Sequence, residues 1–94
     1  MPMAAIADDA QPRLAPGVRL QIDTVTGDAV LLFPEGIVEL NETAREILTR
    51  CDGRTLGEIV VALAGDYDVD PATLAADVRE TLADLQNRKL VELT

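Results

Sequence analysis

Residues 29–48 constrain the fold of this chain most strongly, because two strand patterns and a helix start follow one another there without a gap. The apolar residues 30–33 end at the turn signal Pro34-Glu35-Gly36. Residues 37–40 then resume the apolar pattern, and Asn41 is typical of a helix N-cap. We therefore predict two strands joined by a tight turn and followed directly by a helix.

A further strand is predicted before this stretch. Val18, Leu20 and Ile22 alternate with polar residues, which is the period-two pattern of a half-buried strand. A turn with Gly27 near its centre then leads into Ala29–Phe33, as in an antiparallel hairpin. The three strands are expected to form a meander whose first and third strands are both edges.

Three amphipathic helices are predicted after the strands. Their start signals are Asn41, a capping box made by Thr55 and Glu58, and the pair Asp70-Pro71. The second helix is expected to stop at Gly65. Apolar residues recur at helical spacing in all three helices. These residues are Ala44, Ile47, Leu48 and Cys51, then Leu56, Ile59, Val60 and Leu63, and finally Leu74, Val78, Leu82 and Leu85.

The order of the elements defines the fold class. Three strands followed by three helices predict an α+β fold, in which the helices cover one face of a three-stranded antiparallel sheet. Two short helices and a longer third one also resemble a winged helix-turn-helix. Residues 1–12 lack periodicity and are expected to be a disordered tail before a single domain over residues 13–94. The apolar residues 90–93 are expected to pack on the core or to add a small strand.

Composition excludes most enzymatic chemistry. The chain contains no His, no Ser and no Trp, so it lacks serine nucleophiles, histidine bases and His-ligated metals. A carrier protein is excluded as well, because a phosphopantetheine arm needs a serine. Asp66 to Asp70 imitate the start of a calcium loop, but Pro71 replaces the expected glycine and Asp77 replaces the closing glutamate. We predict a protein that is not an enzyme and uses no cofactor or metal.

Charge argues against nucleic acid as a partner. Eight basic and 17 acidic residues give a formal net charge of −9. A winged-helix nucleic-acid-binding module, or another protein-interaction module, is the alternative that the order of elements suggests. The recognition helix of such a module would carry Asp77, Glu80 and Asp84, which repel phosphate.

The sequence also predicts the cellular location of the protein. No apolar run approaches the roughly 20 residues that span a bilayer, and the N-terminal residues are acidic where a signal peptide would be basic. The lone Cys51 cannot form an internal disulfide, and its apolar neighbours favour a buried, inert thiol. We therefore expect a cytoplasmic monomer that binds no membrane.

The third strand is predicted to be a docking edge. Ile37, Val38, Glu39 and Leu40 form an edge strand, and its outward N–H and C=O groups can pair with an extended peptide. Natural edges are usually protected by charges or proline, whereas only Glu39 is charged within this strand. The residues themselves therefore favour a protein that holds an extended peptide.

Four segments carry a resemblance to a known family. They are PRLAPGVRLQ (residues 12–21), VLLFPEGIVELNETAREIL (residues 30–48), CDGRTLGEIV (residues 51–60) and DVRETLADLQNRKLVEL (residues 77–93). In this order they resemble PqqD, the pyrroloquinoline quinone biosynthesis protein D family, over nearly the whole chain from Pro12 onwards. The most specific features are the P-E-G-I-V turn, L-N at the helix start, and C-D-G-R-T before the capping box.

The resemblance implies a non-catalytic peptide chaperone. Proteins of this family bind the precursor peptide PqqA and present it to PqqE, a radical S-adenosylmethionine (SAM) enzyme that cross-links a Glu and a Tyr within the peptide. In the wider domain family, known as RiPP recognition elements, the leader lies as an added strand between the third strand and the third helix. The helix residues that this implies for peptide binding are Leu74, Asp77, Val78, Thr81 and Leu85. Three of these, Leu74, Val78 and Leu85, also belong to the predicted core stripe.

Overall fold

The chain forms two small antiparallel sheets and three helices in a computed structural model that describes residues 6–94. The elements are β1 (Pro12–Leu14), β2 (Arg19–Ile22), β3 (Ala29–Phe33), β4 (Gly36–Leu40), α1 (Glu42–Leu48), α2 (Leu56–Tyr67), α3 (Pro71–Asn87) and β5 (Val91–Leu93). β2, β3 and β4 form the predicted meander, and β1 pairs with β5. The predicted α+β fold, a three-stranded antiparallel sheet followed by three helices, is confirmed. The likeness to a winged helix-turn-helix stays a prediction.

The meander places β4 at an edge. β3 is the central strand, and its residue Leu31 lies opposite Leu20 of β2 and Val38 of β4. Leu31 has no exposed surface, so this face of the sheet is the one that the helices cover. Phe33 and Gly36 face each other across the turn, so the two strands remain in register up to their last pair.

The core is aliphatic and lies between the sheet and the helices. All three predicted helical stripes contribute to it, as expected from helices that bury one face. Leu74 is only half-buried and packs against the edge of this core. The buried apolar residues of the helices are Ala44, Ile47, Leu48, Leu56, Ile59, Val60, Leu63, Ala64, Val78, Leu82 and Leu85.

Each helix begins at its predicted cap. The side chain of Asn41 accepts a hydrogen bond from the N–H of Ala44 at 2.7 Å. Thr55 and Glu58 form the reciprocal capping box, with distances of 2.8 and 3.2 Å. Asp70 caps α3 ahead of its first helical residue. Such caps contribute about 1 kcal/mol each, because they satisfy N–H groups that have no partner within the helix.

The predicted end of α2 at Gly65 is wrong. The helix continues to Tyr67 and ends at Asp68, whose φ of 53° is left-handed. A glycine inside a helix costs only about 1 kcal/mol. Asp66, just after Gly65, accepts a charge-assisted hydrogen bond from Arg50 at 2.6 Å, which stabilises the last turn of the helix.

The first strand of the meander is less buried than predicted. Val18 lies before β2, and Ile22 is 39% exposed. Ile22 is the last residue of β2 and lies opposite Ala29, next to the turn between the two strands. The alternation of apolar residues therefore identified the strand but not how far the helices extend over it.

The N-terminal segment, residues 6–10, is packed on the domain, whereas a loose tail was expected over residues 1–12. Residues 1–5 lie outside the part that the structure describes. Ile6 is buried in the core. The carbonyls of Asp8 and Ala10 accept hydrogen bonds from the N–H groups of Gly57 and Leu56 at 2.9 and 2.8 Å. The segment is held because it supplies acceptors that the first turn of α2 lacks.

The two ends of the chain meet in the second sheet. Residues 90–93 were expected to pack on the core or to add a strand, and they do both, with Leu90 and Val91 buried. β5 pairs with β1, so that Pro12 lies opposite Leu93. Pro12 thus belongs to a strand and not to the expected tail. Within residues 6–94, no helix combines the length and apolarity needed to cross a membrane.

Candidate functional site

A groove of about 590 Å³ lies between the edge strand β4 and helix α3. The start of α1 closes it at one side. The residues that line it are Val38, Glu39, Leu40, Asn41, Thr43, Ala44, Asp77, Glu80, Thr81, Asp84, Leu85 and Arg88. The groove therefore combines a strand edge with a helix face, which is the arrangement predicted for an added peptide strand.

The hydrogen bonding of the neighbouring strands shows which backbone groups β4 leaves open. The N–H of Asp23 donates to the carbonyl of Asp28 at 2.8 Å, so these two residues form a hydrogen-bonded pair at the end of β2 and β3. In an antiparallel sheet, successive residues point their N–H and C=O groups to opposite sides. Asp28 points these groups towards β2. Leu31 lies three residues further along, so its N–H and C=O groups point to the other side and bond to β4.

Leu31 lies opposite Val38, so Val38 is bonded to β3. The same alternation turns the N–H and C=O groups of Ile37 and Glu39 to the other side of β4. No strand lies beyond β4 in the described part of the chain. On the β4 side, the open edge of the sheet therefore consists of the backbone groups of Ile37 and Glu39. The side chain of Ile37 is 64% exposed, on the face away from the helices.

The α3 wall of the groove is polar above an apolar base. Asp77, Glu80 and Asp84 are exposed, and Thr81 is half-buried between them. Leu85 is only 4% exposed and forms the base where α3 meets the core. This wall can contact a peptide through carboxylates at its rim and through apolar surface at its base.

The structure brings most of the predicted peptide-binding residues together. Val38, Glu39, Leu40, Asp77, Thr81 and Leu85 all line the groove, and Ile37 lies beside it at the open edge. Leu74 and Val78 do not line it. Val78 has no exposed surface, because it is packed within the core.

Sequence reasoning missed part of the groove. Asn41, Thr43 and Ala44 enter it because α1 starts directly after β4. Glu80 and Asp84 enter it from α3, and Arg88 enters it from the C-cap of that helix. The signal for the α3 residues was present, since Asp77, Thr81, Asp84 and Arg88 are spaced as i, i+4, i+7 and i+11 on one helix face.

An ion-pair network fixes α1 behind the groove. Arg50 donates to the carboxylates of Glu46 and Asp66 at 2.9 and 2.6 Å. Arg45 donates to Glu46 and to the carbonyl of Gly27, both at 2.8 Å. Gly27 has a φ of 82°, which glycine adopts without strain in this turn. The Arg50 guanidinium, and after it that of Arg45, lowers the pKa of the Glu46 carboxyl.

Cys51 has the environment of an inert thiol. Burial raises its pKa to about 12, and its Sγ donates to the carbonyl of Ile47 at 3.3 Å. The thiolate, which is the reactive form, is therefore disfavoured. Within residues 6–94, no three His, Cys, Asp or Glu side chains are grouped so that they could hold a metal ion.

Solved structures define the class to which this fold belongs. The chain is similar to the solution NMR structure of the PqqD truncation of Methylobacterium extorquens PqqCD, a stand-alone RiPP recognition element. The identity is 39% and the TM-score 0.80, over 98% of this chain and 99% of that one. TbiB1 in complex with the TbiA(beta) leader peptide is 28% identical with a TM-score of 0.76, over 85% and 94% of the two chains. The chain has the fold of RiPP recognition elements.

Sequence comparison then identifies the family. The model of coenzyme PQQ synthesis protein D (PqqD) matches residues 28–91. A PqqA binding protein of Xanthomonas oryzae pv. oryzae is 46% identical over 92 residues, which are 97% of this chain and 100% of that protein. This chain therefore belongs to the PqqD family, which confirms the resemblance seen in its sequence.

Proposed function

We propose that this protein is a non-catalytic peptide chaperone of pyrroloquinoline quinone biosynthesis. It binds the precursor peptide PqqA as an added β-strand along β4, within the groove beside α3, and presents it to the radical SAM enzyme PqqE. The observation that carries this proposal is the open edge at Ile37 and Glu39 beside a groove. Relatives named for PqqA binding, and a similar fold solved with a leader peptide, support it.

Backbone groups supply the affinity in this proposal. The N–H and C=O groups of Ile37 and Glu39 pair with the backbone of the peptide, and each such bond contributes about 0.5–1.5 kcal/mol net. Val38, Leu40 and Leu85 provide an apolar base for the side chains that the peptide turns inwards.

The α3 residues act in two ways. Asp77 and Thr81 contact the peptide directly at the rim of the groove. Leu74 and Val78 act from the core side, where they hold α3 in place.

The length of β4 explains how a bound peptide can still reach an enzyme. Five residues of strand extend over about 17 Å. The groove therefore holds about five residues of PqqA, and the remainder of the peptide stays outside it. In this proposal, the residues on which PqqE acts belong to the remainder.

Proline substitutions test the added strand. Pro at Ile37 or at Glu39 removes an N–H that faces the open edge, and it leaves the bonds between β3 and β4 intact. We expect Ile37→Pro and Glu39→Pro to remain folded and to lose most of their PqqA binding in calorimetric titrations. Val38→Pro and Leu40→Pro break bonds to β3, so we expect both variants to lose thermal stability.

Two further readouts complete this test. Ile37→Ala changes the same side chain but keeps the N–H, and it should bind PqqA nearly as the unchanged protein does. The rate at which PqqE cross-links PqqA should follow binding across the series. If the folded Ile37→Pro and Glu39→Pro variants still bind PqqA normally, the peptide does not pair with this edge.

A further inference from the structure

The groove carries a strong and local negative charge. Its lining includes the carboxylates of Glu39, Asp77, Glu80 and Asp84 and the guanidinium of Arg88, which is four negative charges against one positive. Arg88 lies 3.3 Å from Asp84 and partly neutralises it. The other three carboxylates have no ion-pair partner among residues 6–94. An occupant of the groove therefore faces uncompensated acidic groups along α3.

The charge lies at the rim, above an apolar base. Val38, Leu40 and Leu85 pack against the core, whereas Asp77, Glu80 and Asp84 are exposed. Lys and Arg side chains also combine an apolar part with a charged part. Their long apolar stems pack on hydrophobic surface while the charged ends stay in water. A basic side chain that enters the groove can therefore make both kinds of contact at once.

The spacing of the carboxylates fits an extended peptide. Glu80 and Asp84 are four residues apart, which is about 6 Å along a helix axis. In an extended strand, side chains on the same face are two residues apart, or roughly 6.6 to 6.8 Å. For a peptide that runs alongside α3, successive inward side chains can therefore meet the carboxylates of Glu80 and Asp84.

We propose that the groove selects an extended peptide segment with Lys or Arg at one or more of the positions that face α3. This inference rests on the proposed function. Asp77, Glu80 and Asp84 are then the residues that determine specificity. Backbone pairing along β4 is independent of peptide sequence, whereas the acidic rim distinguishes one segment from another. A segment with acidic side chains at these positions is repelled.

The test compares two triple variants that change the net charge equally. The groove variant is Asp77→Asn, Glu80→Gln, Asp84→Asn. The control is Asp9→Asn, Asp52→Asn, Asp68→Asn, whose residues are exposed and do not line the groove. Each triple removes one surface ion pair, Asp84 with Arg88 or Asp52 with Arg54.

We expect the groove variant to lose about tenfold in affinity for PqqA at low salt, since each exposed charge pair changes affinity up to about fivefold. The control should lose less than about twofold. The difference between the two variants should shrink from roughly 0.05 M to about 1 M NaCl, because salt screens exposed charges. Replacing each Lys and Arg of PqqA with Gln in turn should identify at least one position that weakens binding to the unchanged protein but not to the groove variant.

The outcomes separate this inference from the function on which it rests. If the unchanged protein binds PqqA but both triple variants bind it equally well, or the groove variant binds more tightly, the acidic rim does not select basic side chains. Failure of the unchanged protein to bind PqqA contradicts the proposed function itself. Thermal unfolding of every variant shows whether the comparison is made between folded proteins.

Discussion

At the scale of single residues, Glu46 is the clearest case of a side chain with a pH-dependent effect. Its carboxylate accepts hydrogen bonds from Arg45 and Arg50, which hold α1 against its neighbours. The pKa of Glu46 lies below the ordinary value of 4.5 in the folded protein, chiefly because of Arg50. Ionised Glu46 therefore stabilises the fold above pH 4.5, and this contribution is lost as the pH falls through the lowered pKa.

Glu46→Gln tests this linkage. We expect the variant to be about 1 kcal/mol less stable than the unchanged protein at neutral pH, because charge-assisted hydrogen bonds are lost. Urea unfolding at pH values from neutral down into the acidic range should show this difference shrinking once the pH falls below 4.5. Glu92→Gln, which affects an exposed pair with Arg13, should have a much smaller effect. A difference that stays constant with pH would contradict the role given to the Glu46 charge.

Some residue roles could be predicted from the sequence and others could not. The caps at Asn41, Thr55 and Asp70 depend on neighbours within three residues, so the local sequence sufficed. The roles of Asp77 and Val78 depend on how α3 is rotated against β4. A helical stripe shows which face is apolar, but it does not show which flank of that face meets the edge strand.

At the scale of elements, the N-terminal segment links α2 to α3. Its carbonyls bind the first turn of α2. From α3, Arg79 donates to the carbonyl of Ile6 at 3.2 Å and to the carboxylate of Asp8. Ile6 itself is buried among the helices. The segment therefore stabilises the helix that forms one wall of the groove.

Arg79→Met tests the contribution of this contact. Met keeps most of the apolar stem but cannot donate, so we expect a loss of about 1–2 kcal/mol in the free energy of unfolding. Arg19→Met, at an exposed position on β2, should change it by less than about 0.5 kcal/mol. Denaturant unfolding measures the free energy of unfolding of both variants. Equal m-values would show that the variants expose the same surface on unfolding, so that their free energies can be compared. Equal stability of the two variants would show that Arg79 does not hold the segment.

Sequence reasoning missed β1, and it left β5 open, since residues 90–93 were expected to pack on the core or to add a small strand. The hairpin from β2 to β4 is visible in the sequence because each turn lies between the strands that it joins. β1 and β5 pair residues from opposite ends of the chain, such as Arg13 with Glu92. Each strand is only three residues long, which is too short for the alternation of apolar and polar residues to identify it. β1 also begins with Pro12, which is uncommon within strands.

At the scale of the whole molecule, the fold over residues 6–94 leaves the β4 edge of the meander open beside α3. β4 is the last strand of the meander, and the chain then passes directly into α1. α3 lies across the groove from β4 and provides the opposite wall. An open edge is a risk for self-association, so the expectation that the protein is a monomer stays a prediction.

The sequence was sufficient for the fold class, because strand alternation, turn residues and caps all agree over residues 18–87. The family followed from the four segments that resemble PqqD. It could not show that Glu80 and Asp84 face the same groove as Glu39. That arrangement brings together residues about 40 positions apart, and it depends on how the packed core orients α3. The acidic lining of the groove therefore became visible only in three dimensions.

Amide hydrogen exchange of β4 tests the central claim most directly. In the free protein, the N–H groups of Ile37 and Glu39 face the open edge, whereas those of Val38 and Leu40 bond to β3. With saturating PqqA, we predict that exchange at Ile37 and Glu39 slows on the order of tenfold or more, with little change at Val38 and Leu40. Unchanged exchange at Ile37 and Glu39 in a protein that binds PqqA would contradict the claim that the peptide adds a strand to β4.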